Sequence, residues 1–121
     1  MAISEAESVV MDVLWKTHPA TAEDVVAALA GRADWQDATI RTMLNRLLKK
    51  GAIAAEREGR RYLYRPLVKR ADYMHAESKS LLDRLFDGRL VPMIAHFSAH
   101  QKLSKKEIAE LKRLVEKLGH E

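Results

Sequence analysis

Thr39, Thr42, Asn45 and Arg46 recur at intervals that place side chains along one side of a helix, and all four are types that hydrogen-bond to base edges. Arginine forks onto guanine and asparagine onto adenine, while threonine offers a hydroxyl to either partner and a methyl to thymine. Cations suited to phosphate stand around them: Arg41, Lys49 and Lys50 in the same stretch, then Arg57, Arg60 and Arg61 a few residues on. Between residues 41 and 70 ten basic residues face only Glu56 and Glu58, a local charge of +8 in a chain whose net charge is +4. Residues 1–40 carry two basic against seven acidic residues, a local −5. Positive charge gathered in one segment is an electrostatic footprint for nucleic acid.

Other chemistry finds little support. The chain has no cysteine, which removes disulfides, thiolate metal sites and cysteine nucleophiles together. His96 and His100 stand four apart, a spacing able to grip zinc from one helix face, but a third ligand and a His-Glu-x-x-His pattern are lacking. No Ser/His/Asp arrangement, glycine-rich phosphate loop or paired-carboxylate motif stands out, so neither an enzyme nor a bound cofactor or metal is expected. Without an 18-residue apolar run or a signal peptide, a cytoplasmic protein with no membrane insertion is the expectation.

The elements that must position the cationic residues follow from periodicity. Ile40, Met43, Leu44, Leu47 and Leu48 form an apolar stripe, and the opposite side gathers Ala38, Thr39, Thr42, Asn45, Arg46 and Lys49, so a helix from Asp37 to Gly51 turns a polar, basic face outward. Ser4-Glu5-Ala6-Glu7 and Thr21-Ala22-Glu23-Asp24 read as capping boxes for two preceding helices. Ala6, Val9, Val10, Val13 and Leu14 are the expected buried stripe of the first, with Trp15 beside it; Val25, Val26 and Leu29 are that of the second. Trp35, in the connection 32–36, reads as a packing anchor. After Gly51, residues 52–57 and 60–65 read as strands about a Glu58-Gly59 turn, with Tyr62 and Tyr64 on one face and Arg61, Leu63 and Arg65 on the other; which face packs stays open. A helix-turn-helix followed by a basic hairpin is the profile of a winged helix.

Beyond Val68 the pattern is helical, with a third capping box at Ser104–Glu107. Three helices of this length make a thin core, so Leu81, Leu82, Leu85, Phe86, Ile94, Phe97, Ile108, Leu111, Val115 and Leu118 are expected to bury against the same segment of a second chain. The expected fold is mainly α with a small β-hairpin: a winged-helix DNA-binding domain over 1–70 and a helical dimerisation domain over 71–121.

The chain resembles the penicillinase repressor family of BlaI/MecI-type winged-helix repressors. The matching pieces are Ile3-Ser4-Glu5-Ala6-Glu7, Leu14-Trp15, Thr21-Ala22, Trp35, Thr39-Ile40, Thr42 to Leu47, Lys50-Gly51, Gly59-Arg60, Tyr62-Leu63-Tyr64 and Pro66, then Leu81 to Gly88 and Leu103-Ser104. The resemblance implies a homodimeric repressor on a dyad-symmetric DNA operator, controlling β-lactam resistance or related stress genes. It also implies inactivation by a regulatory protease at a position that aligns with His96 and Phe97, where histidine replaces the family's usual asparagine. The copper-sensing branch uses C-terminal cysteines, which this chain lacks. Gln36, Asp37 and Ala38 replace the family's frequent Ser-Pro-Lys, removing a cation at the start of the helix. The alternative is a winged-helix protein-interaction module without sequence-specific DNA binding, since the fold serves both roles.

Overall fold

The computed structural model describes residues 2–31 and 35–120; Arg32, Ala33 and Asp34 of the expected connection 32–36 lie outside the described residues. The chain runs α1 (Glu5–Lys16), α2 (Ala22–Ala28), α3 (Asp37–Lys50), β1 (Ile53–Glu58), β2 (Arg61–Pro66), α4 (Arg70–Phe86), α5 (Leu90–His100) and α6 (Lys105–Gly119). The first two helices start as their sequences require. Ser4 Oγ accepts from the Glu7 N–H at 3.1 Å and Glu7 Oε1 accepts from the Ser4 N–H at 2.8 Å. Thr21 and Asp24 repeat the exchange at the head of α2, at 3.0 Å in each direction. The third box is only half formed. Ser104 Oγ accepts from the Glu107 N–H at 3.1 Å, and the exposed Glu107 carboxylate stays in water rather than reaching back.

The buried stripe of α1 is rotated from its expected position. Glu7, Val10, Met11 and Leu14 are buried, at i, i+3, i+4 and i+7, while Ala6, Val9 and Val13 are only half-buried. A carboxylate can occupy this inward stripe because it is hydrogen-bonded and paired there, as described below. The same core takes Val25 and Leu29 from the α2 segment, Ile40, Met43, Leu44 and Leu47 from α3, and Ala52 and Ile53 at the hairpin base. Leu48 and Trp35 pack against it half-buried, Trp35 in the anchoring role expected. Gly51 ends α3 at φ +78°, which L side chains rarely adopt, and Ala52 N–H reaches back to Leu47 O at 3.0 Å.

The turn of the hairpin lies one residue later than expected, which moves the strand pairing by two. Glu58 pairs with Arg61, so the two-residue turn is Gly59-Arg60 rather than Glu58-Gly59. Glycine stands first in the turn at φ +64°, where a two-residue turn of the right twist needs positive φ. Pairing Ile53 with Pro66 and Ala55 with Tyr64 puts the tyrosine face on the core side at Tyr64, which is half-buried, while Tyr62 nearer the tip is 50% exposed. Tyr64 secures it, exchanging backbone bonds with Ala20 at 2.7 and 3.0 Å. The Leu63 and Arg65 face points away from the core.

The chain forms two compact units, Met1–Met74 and His75–Glu121. The first turn of α4 belongs to the first unit: Trp15 Nε1 donates to Val68 O at 2.8 Å, and the Trp15 and Tyr73 ring centres lie 5.5 Å apart. In the second unit α4, α5 and α6 contain no buried residue among those described.

Candidate nucleic-acid interface

The outer face of α3 is a continuous polar surface. Ala38, Thr39, Thr42, Asn45, Arg46 and Lys49 are all exposed, opposite the buried Ile40, Met43, Leu44 and Leu47. Thr42 Oγ1 donates to Ala38 O at 2.9 Å, which orients its methyl and lone pairs. Ala38, Thr39, Thr42, Met43 and Arg46 line a shallow recess of about 250 Å³. Its alanine, threonine and arginine side chains are of types that meet base edges through methyl contacts and hydrogen bonds.

The wing adds cations. Arg60 stands in the turn, and Arg57 Nε donates to Gly59 O at 3.1 Å, which braces the tip. Arg61 lies 3.4 Å from Glu58 and Arg65 lies 2.8 Å from Glu56, both exposed pairs of the kind that gives way readily to a stronger anion. Arg46, Lys49, Arg57 and Arg60 have no carboxylate partner among the described residues.

Two residues counted with the cationic face have other partners. Lys50 Nζ sits 2.5 Å from Glu7 Oε1, and Arg41 Nη2 sits 2.9 Å from Glu23 Oε1. Glu7 is 1% exposed, and its second carboxylate oxygen is buried without a hydrogen-bond partner. Burial pushes its pKa up, but the Lys50 ammonium together with the Ser4 N–H and hydroxyl outweighs this and holds it below the ordinary carboxylate value. Glu23 is held low chiefly by the bond from Arg41, whose own pKa the same bond raises. The hydrogen bonds from Thr21 lower Asp24. With Glu7 and Glu23 included, the +8 of the cationic segment becomes +6.

Neither glutamate was recognisable as part of this surface from its local spacing to the cations, since the pairs span 43 and 18 residues. A usable signal did exist for Glu7, which completes the i, i+3, i+4, i+7 stripe with Val10, Met11 and Leu14.

The residues assigned to dimerisation lie on α4, α5 and α6. Leu81, Leu85, Phe97, Ile108, Val115 and Leu118 are exposed, and Leu82, Phe86, Ile94 and Leu111 are half-buried. An apolar recess of about 460 Å³ opens between α5 and α6, with Ile94, Phe97, Leu103, Leu111 and Leu114 among its lining residues. His96 and Phe97 lie in the interior of α5. The His96 and His100 rings stand 4.6 Å apart, and among the described residues no three potential metal ligands come together. Among the same residues no helix is long and apolar enough to cross a membrane.

Comparison with known proteins agrees with this geometry. The penicillinase repressor family model matches residues 3–117. A penicillinase repressor of Bacillus licheniformis is 40% identical over 114 residues, covering 94% of this chain and 89% of that protein. The methicillin resistance regulatory protein MecI of Staphylococcus aureus is 31% identical over 115 residues, covering 95% and 94%. Among solved structures, the DNA-binding domain of the repressor BlaI superposes with a TM-score of 0.54 at 42% identity, covering 59% of this chain and 87% of that one. The Bacillus licheniformis BlaI monomer in complex with the blaP half-operator gives 0.54 at 41% identity, covering 60% and 89%. The outward polar face of α3, the basic wing and a family match across nearly the whole chain together place this protein in the penicillinase repressor family, a family of winged-helix transcriptional repressors and not of enzymes.

Proposed function

We propose that this chain is a cytoplasmic homodimeric repressor that binds a dyad-symmetric operator in duplex DNA and controls β-lactam resistance or related stress genes. The observation that carries the reading is the exposed face of α3, where Thr39, Thr42, Asn45 and Arg46 lie beside cations without carboxylate partners. Placed in a major groove, these four side chains reach base edges, while Lys49, Arg57, Arg60 and Arg61 neutralise phosphates. The half-operator complex of the 41% identical BlaI supports this mode of use.

Dimerisation rests on the second unit. Helices that bury no residue of their own, yet expose Leu85, Phe97, Val115 and Leu118, need a partner surface, and a second copy supplies an identical one. Two α3 helices then meet half-sites about 34–36 Å apart, or a multiple of that. Inactivation at His96–Phe97 fits the same scheme. Proteases take extended backbone, so α5 must unwind to be cut, and the cut removes α6 from the dimerising surface.

The test is a gel-shift titration of the full chain on a duplex that it selects from a randomised pool. Arg46→Ala is expected to weaken that duplex and relax one base position by about 1–3 kcal/mol. Arg60→Ala is expected to weaken every sequence alike and to flatten the salt dependence by about 0.9 in log–log slope. If both variants bind like the parent, the reading fails. If the parent has no affinity for duplex DNA at low salt, the protein-interaction alternative takes its place.

A further inference from the structure

Arg41 occupies a different side of α3 from Arg46. Its guanidinium turns toward α2 and the wing, where it meets Glu23, and a recess of about 120 Å³ is lined by Glu23, Arg41, Arg60, Arg61, Tyr62 and Tyr64. Three arginines thus line one small hollow with a single carboxylate among them. If α3 lies in the major groove as proposed above, the elements beside it overlie the sugar–phosphate backbone, so this hollow faces phosphate while Arg41, on the flank of α3, stands between that backbone and the base edges.

From this arrangement, which rests on the DNA-binding reading, we infer that Glu23 is a specificity determinant: it holds Arg41 back from indiscriminate phosphate contact and leaves its remaining N–H groups free for base edges. A guanidinium has five N–H donors, and Glu23 engages it through one nitrogen at 2.9 Å. A phosphate drawn into the hollow must either displace Glu23 or sit beside its negative charge. A guanine edge is neutral and requires neither, so the ion pair persists in a sequence-specific complex and opposes a non-specific one. The bond from Arg41 also holds the Glu23 carboxyl below its ordinary value, so the opposing charge is present at neutral pH.

The experiment compares the full chain with Glu23→Gln, which keeps the shape and removes the charge, on two probes: the duplex selected by the parent and a random-sequence duplex. The Glu23 side chain is 70% exposed, so the fold is expected to survive, and a matching circular dichroism melt checks this. Glu23→Gln is expected to bind the random duplex about twofold to fivefold more tightly, the range covered by releasing an exposed ion pair. Its salt slope on that probe should steepen by about 0.9, for one more phosphate neutralised. Affinity for the selected duplex should rise less, so the specificity ratio falls. In an Arg41→Ala background the same change should have a smaller effect on the random duplex, because only the direct repulsion between Glu23 and phosphate is then relieved. Equal gains on both probes, a gain undiminished without Arg41, or no change at all would overturn the inference. Absence of duplex binding by the parent would instead remove the reading on which it rests.

Discussion

Lys50→Ala removes the cation paired with the buried Glu7 carboxylate, and its consequence follows from burial. Breaking a fully buried ion pair costs about 3–5 kcal/mol, whereas an exposed pair contributes about 0–1 kcal/mol. Here the Glu7 side chain is 2% exposed but that of Lys50 is 35% exposed, so water already screens one partner and a loss of about 1–3 kcal/mol is expected. For a domain of this size each kcal/mol lowers the melting temperature by about 4–8 °C. The pH dependence carries a distinct signature. In the parent chain Glu7 titrates below its ordinary value, so its contribution is complete above the unfolded-state pKa and disappears as pH falls through the lower folded one. Without Lys50, burial dominates and the carboxyl pKa rises. The deficit of the variant is therefore largest at neutral pH and shrinks once Glu7 is protonated in both proteins. Urea unfolding followed by Trp15, which sits against Tyr73, measures this at neutral pH and again below the ordinary carboxylate range. Replacing both partners, Glu7→Gln with Lys50→Met, should recover most of the loss. An unchanged midpoint at neutral pH, or the same deficit at both pH values, would refute the reasoning.

Two further changes probe the wing and the helical unit. Gly59→Ala meets no atom within 4 Å but forces a side chain onto φ +64°, so a loss of about 1 kcal/mol in urea unfolding is expected, with Asn at the same position doing better; an Ala variant as stable as the parent would show that the turn is not conformationally demanding. Leu85→Glu places a charge on a leucine that is 64% exposed in the single chain, so sedimentation should show monomers and operator affinity should fall by about 100-fold as the second half-site is lost. A dimer of unchanged stability would place the interface elsewhere.

How much of this was legible in the sequence depended on the range of the interaction. Short-range chemistry was readable: Ser4 with Glu7 and Thr21 with Asp24 started helices where capping boxes stood, and the stripe from Ile40 to Leu47 turned Thr42, Asn45 and Arg46 outward. The turn of the hairpin moved by one residue because alternation fixes faces while the turn fixes register, and only Gly59 could take the positive φ at the first turn position. The charge tally overcounted for a different reason. It treated the −5 segment and the +8 segment as separate, but α1 and α2 pack against α3 and bring Glu7 and Glu23 from one to the other. No periodicity encodes pairs 43 and 18 residues apart, and only the packing of the helices brings them together. Those two glutamates sort the cations of α3 into different roles. Lys50 holds the helix to α1 and Arg41 is restrained at its flank, so Arg46 and Lys49 are the cations of α3 left without a carboxylate partner among the described residues. Acidic residues inherited from a negatively charged segment therefore narrow the basic surface to the face that α3 would present to a groove.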